Sequence, residues 1–406
     1  MLNCEPDDSA VITTTLGCQL AELPLTYLGI PLTLRRPTRA QMMPLVNKTA
    51  AKLPTWKSRL MDRSGRLVLV KSVLAAIPLH QILVLQPPKC ILKLLEKIQR
   101  GFLWDGRAEA NGGHCHVNWR AVCRPLSLGG LGVQDMERAG LALRMRWLCQ
   151  IAPELYACIP KRHRKATSIR DGLTDHSWAR DIHGVLGLQE LGQYLMLWTE
   201  VEATVLTDQP DQLVWRWNAN GVYTAKSCYR STFQGSRACP AWKLLWKTWA
   251  LPRVKFFHWL ANKDRCWTAE RLRRRGLQHH PRCLLCDQEP ESMHHLTLAC
   301  PFSRQVWYDT LSWLRLPCRP PDNELTLHEW WITARQHTPK PMRKGLATAT
   351  LLVPWLIWKH RNSCVFDGEQ PSTQRVNDRI KAEAALWARA GALGLRAVLP
   401  VDWDVH

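Results

Sequence analysis

A chain of 406 residues with 46% apolar and 22% charged residues has room for two or three domains with their own cores, which excludes wholesale disorder. Lys and Arg outnumber Asp and Glu by 55 to 34, a net charge of +21; such an excess attracts polyanions, nucleic acid first among them, against the plainer reading of a merely basic soluble protein. The start MLNCEPDDSA has no signal-peptide pattern and no run of about 18 apolar residues occurs, so neither a secretory leader nor a membrane span is expected; the odd count of 15 cysteines then favours metal ligation over a disulfide framework.

In chain order, residues 11–34 alternate apolar and β-branched residues around turns at Leu16-Gly17 and Leu28-Gly29, predicting two or three short strands. From Thr38 to Leu85 apolar residues recur at helical spacing. The stretch from Arg35 to Leu74 carries ten Lys or Arg against Asp62, a cationic helical face. A second helix is expected over Lys89 to Trp104. An irregular Gly-rich crossing follows, then a helix through Leu143, Trp147 and Leu148. Residues 150–210, with the basic run at 161–165, read as a connection with some helix.

Beyond Leu213, an Asn220-Gly221 turn between Trp215/Trp217 and Val222/Tyr223 predicts a hairpin, with a helix starting near Ala225. Amphipathic pieces, a helix bearing Val306, Trp307, Leu311 and Leu314, and a tail helix through Val376, Ile380, Ala384 and Trp387 complete the chain.

The segment PRCLLCDQEPESMHHLTLAC sets Cys283 and Cys286 in a CxxC, the spacing at which two thiolates on a tight turn reach one tetrahedral zinc. Cys300 and either His294 or His295 would complete a closed set of four ligands, which makes a structural site. Glu289 and Glu291 are near enough in sequence to hydrogen-bond the imidazole.

Several stretches together resemble the C-terminal part of plant non-LTR (LINE-type) retrotransposon reverse transcriptases. WRWNANGVYTAKSCY, LLWKTWALPRVKFFHWLANKDRCWTAERLRRRG and CLLCDQEPESMHHLTLACPFSRQVW are similar to their zinc-binding domain. LPLTYLGIPL resembles the hairpin closing the palm, and WKSRLMDRSGRLVLVKSVLAAIP, FLWDG and VNWRAVCRPLSLGGLGV resemble the thumb and its connection. The resemblance implies one structural Zn2+ on Cys283, Cys286, His295 and Cys300, with Trp307 as the closing Trp and His294 set aside.

It also implies an architecture that is mainly α with small β hairpins. The expected order is a palm remnant (1–37), a thumb-like helical domain (38–150), a connection (151–212), a small zinc-stabilised α+β domain (213–315) and a helical tail (316–406).

Polymerisation needs two metal ions held by palm carboxylates, and the resemblance implies that these precede the LPLTYLGIPL hairpin. Asp7 and Asp8 are flanked by Pro6 and Ser9 and read as a solvated turn; Asp367, Glu369, Asp378 and Glu383 are scattered without the strands an RNase H site would use. The Gly129–Gly132 stretch is too weak for a phosphate loop. The expectation is therefore a truncated, non-catalytic polymerase fragment.

What remains is binding. Residues 242–282 hold eleven Lys or Arg against Asp264 and Glu270, interleaved with aromatics, and the cations nominated for nucleic acid are Arg271, Arg273, Arg274, Arg275, Lys255 and Lys263. The partner would be an RNA or DNA template read with little sequence preference, with other retroelement proteins as further partners and an intracellular, nuclear location ahead of a cytoplasmic one. The alternative is a degenerate or domesticated zinc-dependent protein-interaction module that binds no nucleic acid.

Overall fold

The computed structural model of the chain describes residues 14–15, 17, 25–32, 36–53, 60–107, 115–144, 177–180, 182–183, 186–202, 215–240, 242–322 and 324–400. Asp7, Asp8, Trp147, Leu148 and the basic run 161–165 lie outside the described residues.

Strands β1 (Leu25–Tyr27) and β2 (Ile30–Leu32) pair antiparallel with Tyr27 opposite Ile30. Leu28 and Gly29 at the turn both have positive φ, 49° and 77°, the geometry a two-residue hairpin demands. Thr14 and Thr15, expected in a strand, are helical instead.

Helices follow. Helix α1 (Arg39–Ala51) opens on a capping box between Thr38 and Gln41. Helix α2 (Arg63–Leu69) runs through a π-helical turn, Val70–Leu74, into α3 (Ala76–Val84). Helix α4 (Lys89–Asp105) ends at Gly106 in the left-handed conformation, and its apolar stripe is the cause of its burial on one side. After the irregular crossing come α5 (Met136–Arg144), α6 (Leu188–Glu202), α7 (Ala225–Ser231), α8 (Trp242–Lys247), α9 (Pro252–Ala261) and α10 (Ala269–Arg274). The last four long helices are α11 (Pro301–Trp313), α12 (Leu327–His337), α13 (Arg343–Phe366) and α14 (Thr373–Arg389). The chain is thus mainly helical, as its sequence implies.

One expected hairpin is corrected. Residues 215–224 make a tight turn in which Trp215 N–H donates to the Gly221 carbonyl at 2.7 Å, yet no strand occurs among them. Asn218 and Asn220 take up Val222 backbone groups through their side chains, so local Asx-type bonds replace a ladder. A second correction concerns apolar runs: Arg63–Val84 forms one helical stretch that is, by length and composition, apolar enough to cross a membrane. Lys71, Pro78, His80 and Gln81 interrupt that run in sequence but not in helix. Its Leu67, Val70 and Leu74 are buried in a protein core.

The chain divides into two compact units, one formed by Met1–Pro78, Pro87–Asp135 and Ser236–His406, the other by Leu79–Gln86 and Met136–Gly235. In the second, α5 packs on α7; Tyr223 O–H donates to the Ala142 carbonyl, and Arg138 lies 4.3 Å over the Phe233 ring. In the first, α13 is the central element. Helices α9, α11, α12 and α14 all pack on it, and α9 packs also on α2. Residues of α2, α9, the Cys/His segment and α14 therefore share one core. The tail helix finds its partner here: Val376, Ile380, Ala384 and Trp387 are all buried.

Candidate metal centre and basic residues

The Cys/His segment is built from two turns. The Asp287 N–H donates to the Cys283 carbonyl at 2.7 Å, and Asp287 itself takes φ 54°, which reverses the chain so that Cys283 N–H meets the Glu289 carbonyl at 2.8 Å. That closed loop puts Cys283 and Cys286 on one side.

The second turn is π-helical, His295–Ala299, with Cys300 N–H donating to the His295 carbonyl at 2.7 Å. Pro301 explains why it stops there. Proline has no N–H and pushes the preceding residue out of the helical region; Cys300 accordingly sits at φ −61°, ψ 127°, and Pro301 becomes the first residue of α11. This winding frees two carbonyls. Ser303 Oγ donates to Leu296 O at 2.7 Å and the Trp307 indole N–H donates to Thr297 O at 3.0 Å. Trp307, fully buried, is held in turn against Trp330 with ring centroids 4.7 Å apart.

Together the two turns bring one ligand atom each from Cys283, Cys286, His295 and Cys300 within 4.8 Å of one another, with Cys286 Sγ and His295 Nε2 at 3.3 Å. A tetrahedral zinc with Zn–S about 2.3 Å would have sulfur–sulfur edges of ~3.8 Å, so the set closes on such an ion with a small contraction. Cys283, His295 and Cys300 are buried and Cys286 half-buried, which leaves little access for a water ligand. The hydrogen bond to Cys300, with burial second, pushes the Cys283 thiol up to about 12, and the same bond holds Cys300 below its ordinary value. A divalent cation would take the place of that shared proton, as thiolate ligation requires.

His294 goes elsewhere. It is exposed, and its Nε2 lies 3.0 Å from the Glu324 carbonyl. The expected support of the imidazole by Glu289 or Glu291 is corrected. Glu289 is exposed, and Glu291, 2% exposed, is committed to Arg361 at 2.6 and 2.8 Å and to the Ala269 N–H at 3.0 Å. Glu291 thereby caps the start of α10 while tying it to α13.

The six nominated cations separate into different environments. Arg273 and Arg275 are exposed, with Arg275 5.2 Å over the Trp267 ring. Arg274 is exposed but paired with Glu270 at 2.5 Å and Asp264 at 3.1 Å. Arg271 does not stand on a solvated face: it is 5% exposed, stacked on Trp267 at 4.5 Å, and burial lowers its pKa. Lys255 donates to the Trp246 carbonyl at 3.1 Å and Lys263 sits 5.5 Å over Trp259; burial holds both below the usual lysine value. The reason is geometric. On a helix, residues 271 and 275 share a face that 273 leaves, so a run of arginines cannot all point one way.

Among the described residues the Cys/His set is the one group of three or more His, Cys, Asp or Glu arranged to hold a metal ion. Three of the four tail acids are otherwise engaged: Glu369 with Arg375 and Arg379, Asp378 with Gln374, and Glu383 with the Trp387 indole. Sequence reasoning gave Glu291 another role and missed its pairing with Arg361, and it missed that Arg63, counted in one basic stretch, lines one cavity with Arg253 and Arg265 of another. No local signal joins residues so far apart in the chain.

Residues 223–307 match the family described as zinc-binding in reverse transcriptase. The chain is also 25% identical over 415 aligned positions to an Arabidopsis thaliana protein named "putative ribonuclease H protein", an alignment covering 83% of this chain. The chain spans 65% of the length of that relative. Residues 223–307 thus form a segment similar to the zinc-binding domain of reverse transcriptases, and the Cys/His set lies within it.

Proposed function

We propose that this chain, with its segment similar to a reverse transcriptase zinc-binding domain, is a retroelement-derived nucleic-acid-binding protein. One structural Zn2+, held by Cys283, Cys286, His295 and Cys300, fixes the junction between the metal loop and α11. The observation that carries the reading is the convergence of those four ligand atoms within 4.8 Å at the end of a proline-terminated π turn. When bound, zinc supplies a fourfold cross-link, and the protein's own residues do the rest.

Nucleic-acid binding is supported by the net charge of +21 and by exposed arginines such as Arg273 and Arg275. Contacts to phosphate from such groups give affinity that falls with salt and little base preference. In this reading the chain binds nucleic acid and carries out no polymerase or nuclease chemistry of its own. The place of action in this reading is intracellular, the nucleus ahead of the cytoplasm.

Metal analysis of the purified chain, with a salt titration of its binding to a labelled oligonucleotide, tests both halves. About one zinc per chain and a steep salt dependence are expected; absence of zinc, or affinity that ignores salt, overturns the respective half. The pairing of Arg274 with two carboxylates and the burial of Arg271 favour a second reading, a zinc-dependent protein-interaction module. It predicts that no oligonucleotide binds.

A further inference from the structure

A cavity of about 300 Å³ lies beside α2, α9 and α13, away from the metal loop. Its walls carry three guanidinium groups, Arg63, Arg253 and Arg265, and three half-buried indoles, Trp267, Trp355 and Trp358. None of these three arginines makes an ion pair among the described residues. Asp62 is the acid on the lining, and it is already used: its carboxylate accepts from Gly65 N–H and Ser64 O–H, both at 2.7 Å, as the cap of α2.

Positive charge also stands behind the aromatic wall. Arg271 stacks on Trp267 at 4.5 Å, is 5% exposed, and both its terminal nitrogens lack a hydrogen-bond partner. Arg275 lies over the same ring at 5.2 Å. His116, edge-on to Trp267 at 5.6 Å and bonded through Nδ1 to the Arg265 carbonyl at 3.2 Å, holds that arginine's backbone in place. Guanidiniums therefore outnumber carboxylates here, although the charge of Arg253 acts on Asp62 and that of Asp264 on Arg271. Arg253, Arg265 and Arg275 are exposed, but Arg63 is half-buried and Arg271 buried, so water screens these two least, and an anion in the cavity would offset the excess of positive charge. Indole walls add what a bare phosphate would not need, flat surfaces on which a base stacks.

We propose that this cavity is a nucleotide-sized site for single-stranded nucleic acid, with a phosphodiester against Arg63, Arg253 and Arg265 and a base against the indole wall. The assignment rests on the nucleic-acid reading above and deepens it. Binding moves from the Arg271–Arg275 run to a concave site assembled from two distant basic stretches.

The test uses the full, zinc-loaded chain and fluorescein-labelled single strands of about 12 nucleotides, RNA and DNA, carrying 5-iodouridine. Charge reversal at two exposed positions, Arg253→Glu with Arg265→Glu, raises Kd by more than about tenfold and lowers the salt slope by about 1.4, two phosphates at ~0.7 each. The control pair Lys340→Glu with Lys381→Glu, exposed on the tail, changes Kd by less than roughly threefold on the same scale. Photocrosslinks from iodouridine map to the peptide of Trp267 or of Trp355 and Trp358, a readout that does not depend on any variant folding. If wild type binds but the two pairs behave alike, or crosslinks fall only elsewhere, the cavity assignment is overturned and the broader reading stands. If wild type binds neither strand at about 50 mM salt, both fall together.

Discussion

Arg361 and Glu291 form a bidentate ion pair, Nη2–Oε1 at 2.6 Å and Nε–Oε2 at 2.8 Å, with both side chains almost wholly buried. It joins the metal loop to the central helix α13, and the Glu291 carboxylate also receives the Ala269 N–H that opens α10. Removing one partner leaves a buried charge uncompensated. Arg361→Met is expected to destabilise the first unit by about 3–5 kcal/mol in urea unfolding, and adding Glu291→Gln to recover part of that loss. A loss under about 1 kcal/mol would mean that the pair is not structural.

Zinc occupancy should follow His295 and not its neighbour. His295→Ala and Cys300→Ser are expected to lose the metal, while His294→Ala, whose ring faces the Glu324 carbonyl, retains about one zinc per chain. Chelation should abolish hydrogen-exchange protection in the loop and in the first turns of α11, because binding energy is folding energy there. Retention of zinc by His295→Ala would reassign the ligand.

Trp307 has a job besides filling space. Its indole N–H serves the Thr297 carbonyl that Pro301 cannot reach, so Trp307→Phe should cost about 1–3 kcal/mol for an unpaired buried acceptor, with a cavity contribution added. Zinc stoichiometry should stay at wild type, since the ring is no ligand. Calorimetry with metal analysis separates the two effects.

Acid should weaken the fold through His258. Burial pushes its pKa down to about 4 from the ordinary 6.5, and as the neutral tautomer it donates Nε2–H to the Leu351 carbonyl at 2.8 Å. The unfolded chain binds the proton more readily, so stability is full above about pH 6.5 and is lost as pH falls toward about 4, by ~3 kcal/mol in all. His258→Gln should make the dependence of the urea midpoint on pH across that window shallower, while His116, which burial also pushes down to about 4, supplies the rest. An unchanged slope would show that another group controls it.

Arg271 opposes stability in the free protein. Replacing the buried, unpartnered guanidinium by a side chain of similar length, Arg271→Met, should raise stability by about 1 kcal/mol or more. The same change should weaken oligonucleotide binding, because the charge behind Trp267 is gone. A variant that loses stability would place the net benefit in the cation–π stack.

Much of the candidate metal centre is legible in the sequence. The CxxC pair, Cys300 and the following proline lie within one short segment, where local geometry decides what can meet. Between His294 and His295, residue spacing alone leaves the choice open; the path of the π turn sends the first toward Glu324 and the second toward Cys286. The helices with clear apolar stripes, α4 and α14, are equally plain, since periodicity is written locally.

Helix α13 is not, and it is the centre of the first unit. Its residues from Gly345 to Pro354 are buried on every face, so that half has no stripe to read, and Pro354 sits inside it. Sequence by itself determined the ligand-bearing turns, the helical character and the excess of positive charge. Tertiary structure decided which charges are free. Packing α9 between α2 and α13 sets Arg63 in one cavity with Arg253 and Arg265, whereas it buries Arg271 behind Trp267. Distance through space, and not along the chain, fixes whether a cation is a solvated face, an ion pair or an unmet charge, and no one-dimensional pattern carries that distance.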